Sequence, residues 1–185
     1  VSGPPILFAY FNEAMGTMGF FLGGTGLMMI ALLWFYFRTI QGVVIPTFSA
    51  LLSAVWGLGF AGLFGYSLDP LVIVVFVLIT ARTLSHSVQS MERYHEEYFR
   101  LGDKNAAIIK SYLSLYAPAM VSIIADGLAI LTIAVATIPL MQKLAFVAAF
   151  WIISIFISVV TLHPIILTFV RPPKEHRRDN LFDTV

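Results

Sequence analysis

The chain alternates long apolar runs with short polar breaks. Five runs hold about 20 apolar residues each, the length that crosses a hydrocarbon core of about 30 Å as a helix. They fall at roughly 17–37, 43–64, 70–98, 118–138 and 144–170. The third run is apolar to about Gln89 and then continues as a charged, water-loving helix. The breaks "RTIQG", "GYSLDP" and "IPLMQK" are short and turn-like. One break is long, "MERYHEEYFRLGDKNAAIIKSYLSLYA". Within it, Gly102 should end the third helix and Asp103 should N-cap the next. Residues 103–116 read as a short amphipathic helix on the membrane surface. Ala106, Ala107, Ile109, Leu113 and Tyr116 turn toward the membrane or the bundle, while Lys104 and Lys110 reach headgroups.

Composition agrees with the pattern. Hydrophobic residues make up 59% and charged residues 11% of the 185, against about 25% charged in soluble domains. The expected class is an all-α membrane protein of five transmembrane helices plus the surface helix. The net charge of +1 gives no reason to expect nucleic acid. The absence of cysteine removes disulfides, thiolate metal sites and cysteine nucleophiles. The opening "VSGPPILF" has neither an initiating Met nor a signal-peptide pattern, so a piece of a longer protein is expected.

Basic residues set the expected orientation, because cytoplasmic loops retain Lys and Arg. In a five-span path Arg38, Arg93, Arg100, Lys104, Lys110, Arg171, Lys174, Arg177 and Arg178 fall on one side. Lys143 falls on the other, and Arg82 lies within a span. Residues 1–16 are then the end of a periplasmic segment, 17–170 the transmembrane domain and 171–185 a cytoplasmic tail. Asp69-Pro70 opens the third span at the outer face, with Pro where its missing N–H costs nothing.

The third span poses the chemical question: why should it carry Arg82 and His86 one turn apart, with Ser85 and Gln89 beside them? Intramembrane charges are costly and usually pair. Arg82 lies about 18 Å below the outer face and Asp126 about 12 Å above the inner one, at about 1.5 Å per residue. In a core of about 30 Å those depths coincide. Arg82 and Asp126 should therefore neutralise each other in the bundle interior, between neighbouring spans. His86 sits at the cytoplasmic mouth of the same seam, and Ser122 one turn from Asp126. Two readings are open. The pair is a structural clamp, since Arg keeps its proton and a clamped carboxylate stays charged. Alternatively Asp126 accepts protons during a cycle in which it exchanges partners, with His86 assisting because imidazole titrates near neutrality.

Other features carry less weight. Gly19, Gly23, Gly24 and Gly26 have the small-xxx-small spacing of close helix packing. Trp34, Tyr36 and Arg38 read as interfacial anchors, and His163-Pro164 as a kink. His95, Glu96 and Glu97 do not have convincing metal spacing. A phosphate-binding loop of the GxxxxGK[ST] type is absent, so energy would come from an ion gradient. No nucleophile–base arrangement supports an enzyme, and no cofactor or metal is expected.

The order of "VSGPP", a first span, "GYSLDP", "RYHEE", "GDKNAAI" and "LHPIIL" resembles one half of a resistance-nodulation-division (RND) permease of the MMPL-like, lipid-exporter kind. The chain would supply helices two to six of that half, the unit also used as a sterol-sensing domain. The resemblance implies a proton-driven exporter in the bacterial inner membrane. It also implies membrane lipids and a hydrophobic substrate as partners, a second half and periplasmic domains of the same permease, and a homo-oligomer. Typical members carry an acidic residue, often Asp-Tyr, in the fourth helix of the half, where this chain has Ser85-His86. Asp126 stands where relatives usually have Ser or Thr. A sterol-sensing-type lipid-binding module and a structural membrane subunit are the alternatives.

Overall fold

The computed structural model describes residues 4–66 and 70–172. Expectations placed on the opening "VSG", on Asp69 and on Lys174, Arg177 and Arg178 lie outside the described residues. The described chain is all helical: α1 Pro4–Phe37, α2 Ile40–Leu63, α3 Pro70–Leu101, α4 Lys104–Leu131, a 3-10 turn Thr132–Val135, α5 Pro139–Ile155, a π segment Phe156–Thr161 and α6 Leu162–Phe169. Five stretches are long and apolar enough to cross a membrane, the last being the composite Pro139–Phe169. The chain is thus a multi-pass membrane protein by the length and composition of its helices.

The helix ends follow local chemistry. Thr39 caps α2, its Oγ1 accepting from the Gly42 N–H at 3.2 Å. Gly102 ends α3 with φ of +69°, a conformation that costs glycine little. Asp103 then caps α4 by accepting from the N–H groups of Asn105 and Ala106 at 3.4 and 3.0 Å. Asp103→Ala should cost about 1 kcal/mol of stability, and a cooperative denaturation curve in detergent that does not move would refute that role.

Three expectations are corrected. The surface helix 103–116 is not a separate element. It is the first half of α4, which runs on through Pro118. One missing backbone bond at a proline does not end a helix whose neighbours re-satisfy the freed group. The glycines of α1 make no close contact among the described residues: a β-carbon on Gly19, Gly23, Gly24 or Gly26 would meet no atom within 4 Å. The close-packing stripe lies instead in α2, where Ser49, Ser53, Gly57 and Ala61 recur every fourth residue and are all buried. His163-Pro164 sits just past a π segment, not a simple kink. Pro164 lacks the N–H that the Val160 carbonyl would receive and crowds that carbonyl, and a π turn relieves both.

The core has two apolar centres. One gathers Trp151, Ile155, Ile79 and Ile123 among α2, α3, α4 and α5. The other gathers Met91, Tyr94, Ala107, Ile108 and Leu167 toward the opposite end. That second end also collects cations. Lys104 donates to the Thr168 carbonyl at 2.6 Å, and Gln41 to the Arg171 carbonyl at 2.8 Å. Tyr36 reaches Glu92 at 2.5 Å, which ties the Arg38 end of α1 to α3. Lys143 is at the other end, 5.5 Å from the centre of the Tyr66 ring. Glu97, 1% exposed, accepts from Arg100 at 2.7 Å, pairs with Arg93 at 3.2 Å and lies 3.8 Å from Lys110, which staples α3 to α4.

Candidate functional site

The α3–α4 seam brings Arg82 and Asp126 together. The Arg82 Nη2 meets Asp126 Oδ2 at 2.5 Å and also donates to Ser122 Oγ at 3.2 Å. Ser122 and Asp126 are four apart on α4, so one guanidinium nitrogen spans both. The pair is not in the bundle interior as the sequence predicted. Its side chains are 47% and 37% exposed, on the open flank of the two helices. Depth along a helix is legible from residue counts, but the face of the bundle a side chain meets depends on how neighbours pack. In a hydrocarbon setting this flank cannot remain bare, because a half-exposed charge pair needs protein or water against it.

Beside the pair lies a cavity of about 250 Å³. Its polar wall is α3, with Arg82, Ser85, His86, Gln89 and Ser90, joined by Ser122 and Tyr112 of α4. The rest of the lining is apolar: Leu115, Pro118, Ala119 and Ile123 of α4, with Ile155, Val159 and Val160. The four α3 residues singled out from the sequence therefore share one cavity, since positions 82, 85, 86 and 89 fall on one helix face. Among the described residues the buried His86 Nε2 has no hydrogen-bond partner there, and the buried Tyr112 hydroxyl has only the Ser90 side chain beside it. Buried polar atoms of this kind bind water or a ligand. A polar cavity of this size has room for several waters or one small amphiphile.

Sequence reasoning missed Tyr112, which it placed on a separate surface helix. It also missed a second polar system around α3 from the seam. α2 contributes Ser49 and Ser53, α3 contributes Thr83 and Ser87, and the fifth span contributes Ser154 and Ser158, all buried. Ser53 and Ser154 share a hydrogen bond of 3.0 Å, and Thr83 donates to Ser53 at 3.4 Å. One turn away, Ser49 donates to the Ser158 carbonyl at 3.4 Å, and His163 Nε2 meets Ser49 Oγ at 2.6 Å. A signal was present: three spans each carry two hydroxyls four residues apart. Each hydroxyl alone reads as an ordinary back-bonded Ser or Thr of a membrane helix, so only the three together mark a site.

Among the described residues no three His, Asp or Glu side chains come close enough to hold a metal ion. Compared with known protein families, with curated proteins and with solved structures, the chain has no match.

Proposed function

We propose that this chain is part of a proton-motive-force-driven transporter of the RND/MMPL type. It would move lipids or other hydrophobic molecules across or out of the bacterial inner membrane. The observation that carries this reading is the seam itself. An ion pair joins two long apolar helices, next to a cavity whose lining combines a buried imidazole nitrogen, unpartnered among the described residues, with a mostly apolar remainder. Ionisable groups inside spans mark ion or substrate pathways by default. The polar wall suits protons and water, and the apolar wall suits a hydrophobic cargo. The open flank of the pair calls for a covering element, and a second half of the permease or a second copy fits that need. Periplasmic domains would select the cargo.

In this reading the N-terminus is periplasmic and the C-terminus cytoplasmic. α4, at 28 residues, is about 42 Å long at about 1.5 Å per residue. It exceeds the hydrocarbon core of about 30 Å, so its first turns, with Lys104 and Lys110, stand at the cytoplasmic headgroups. Cysteines placed at Ser67 and Lys104 should react with impermeant reagents from the outside and the inside respectively. The reverse pattern would overturn both the topology and the family reading.

The test of function is reconstitution. In proteoliposomes an imposed pH gradient should drive net movement of a fluorescent phospholipid, and His86→Ala should shift its pH dependence. If lipid moves equally with and without the gradient, the proton-coupled reading falls. A sterol-sensing-type binding role is the second reading, favoured by the apolar wall of the cavity. It predicts that a photoactivatable sterol crosslinks to Leu115 or Ile123 equally well in the wild type and in Asp126→Asn.

A further inference from the structure

Arg82 lines the seam cavity, whereas its partner Asp126 does not. Among the described residues only the Nη2 of Arg82 is engaged, by Asp126 and Ser122. A guanidinium carries five N–H donors in a planar fork, so the Nε and Nη1 donors remain for a second partner. The same lining holds the buried His86 Nε2, unpartnered among the described residues, and the Gln89 amide. Among the described residues no carboxylate lines the cavity. It is a donor-rich site with one permanent cation, and it suits an anion.

The rest of the lining says what the anion is attached to. It is apolar, and Ile123, Ile155 and Val159 belong to it. Arg82, Ser85 and Gln89 are exposed, so the cavity opens on the flank that carries the ion pair. In a bilayer an amphiphile can enter there from the side. A volume of about 250 Å³ takes a head group and the first carbons of a chain. The rest of the chain stays in the hydrocarbon. The anion that this guanidinium already accepts is the carboxylate of Asp126. A planar carboxylate matches a guanidinium edge through two parallel N–H···O bonds.

We propose that the seam cavity binds a carboxylate-headed amphiphile, its head on the free edge of Arg82 and its chain along Ile123, Ile155 and Val159, and that one proton binds with it. This rests on the reading of the seam as the place where cargo meets protons, and it names the chemistry of that cargo. The proton follows from counting charge. Arg82 and Asp126 sum to zero, so a second carboxylate leaves one negative charge. The other titratable groups at the cavity are His86 of α3 and Tyr112 of α4. The residues lining it from α5 and the π segment are Ile155, Val159 and Val160, none of them ionisable. An unbalanced charge is costly within a span, and two carboxylates at one site do not both stay ionised. One O–H bond therefore forms on a carboxylate oxygen, with the proton taken from water, and no other covalent bond changes. The bound complex holds one proton more than its separate parts, so binding weakens as pH rises.

The test is calorimetric titration of the detergent-solubilised chain with octanoate, in two buffers of different ionisation heat. At pH 7 about one proton should be taken up per octanoate bound. The affinity should fall about tenfold per pH unit between pH 6.5 and 8, where octanoate itself stays ionised. Octanol, with the same chain and no charge, should bind at least tenfold more weakly, and so should acetate, which lacks the chain. These measurements need no variant. No octanoate binding, binding without proton uptake, or octanol binding as tightly as octanoate would overturn the proposal. Asp126→Asn should bind octanoate at least as tightly as the wild type with proton uptake near zero, because the charges then balance unaided. Uptake that persists in Asp126→Asn belongs to His86 and sinks the assignment. Arg82→Gln should weaken octanoate binding at least tenfold, and an unchanged affinity places the head elsewhere. None of these readings uses a gradient. Octanoate binding with one proton, in a chain that moves no phospholipid, removes the transport role and keeps the site, whereas transport without octanoate binding does the opposite.

Discussion

Asp126→Asn should abolish gradient-driven lipid movement in proteoliposomes while leaving the bundle folded. The asparagine keeps the shape of the side chain and an oxygen that still accepts from Arg82. The guanidinium also retains its 3.2 Å bond to Ser122, so the α3–α4 contact survives. What disappears is the carboxylate paired with Arg82, and with it the site where, in the proposed mechanism, a proton would be taken up and released. In the proposed transporter, coupling would require Asp126 to leave Arg82 during the cycle, because a permanently clamped carboxylate stays ionised. Asp126→Glu should therefore restore part of the activity, and Arg82→Gln should uncouple rather than unfold the protein, since both partners are more than a third exposed. The loss should exceed roughly 100-fold in rate, the scale on which a positioned proton-transfer group contributes. Thermal unfolding in detergent separates the outcomes. A variant that still moves lipid against the gradient removes Asp126 from the mechanism, and one that no longer folds makes the pair a structural clamp.

The largest effect on stability should come from the contact between Gly57 and Trp151. The indole is fully buried, with Phe76 edge-on at 5.4 Å between ring centres. It lies so close to Gly57 that a β-carbon there would overlap the ring itself. The colliding atoms belong to a rigid plane, so no rotation of a flexible side-chain end relieves the clash. Gly57→Val should prevent α2 and α5 from closing. Trp151→Ala should cost about 3–5 kcal/mol through lost contacts and the cavity left behind. In the double variant the collision is gone, so Gly57→Val should do far less further harm on a Trp151→Ala background than alone. Size-exclusion profiles after heating in detergent measure all three. A Gly57→Val protein as heat-resistant as the wild type would show that the helices do not approach this closely.

These two sites differ in how far the sequence revealed them. The Arg82–Asp126 partnership was legible because helix rise converts residue number into depth, and two opposite charges in a bilayer have strong reason to meet. The same arithmetic, with turn residues and caps, located the spans and the Gly102–Asp103 junction, where a glycine with positive φ and a capping carboxylate are local chemistry. The Gly57–Trp151 contact was not legible, since small residues recur in both α1 and α2. The obvious glycine-rich stretch of α1 makes no close contact among the described residues, whereas the mixed stripe Ser49, Ser53, Gly57 and Ala61 is buried, with Gly57 against Trp151.

By itself the sequence determined the number of spans, their apolar lengths, the caps and the matching depth of the charges, because each depends on neighbours in the chain or on distance along one helix. Only the tertiary structure decided which faces meet. It carried α4 unbroken through Pro118, turned the charge pair to an open flank and set Tyr112 at the cavity. It also brought five buried hydroxyls and His163 together between α2, α3 and the fifth span. Those outcomes depend on rotation of each helix about its axis, which is fixed by packing against helices distant in sequence.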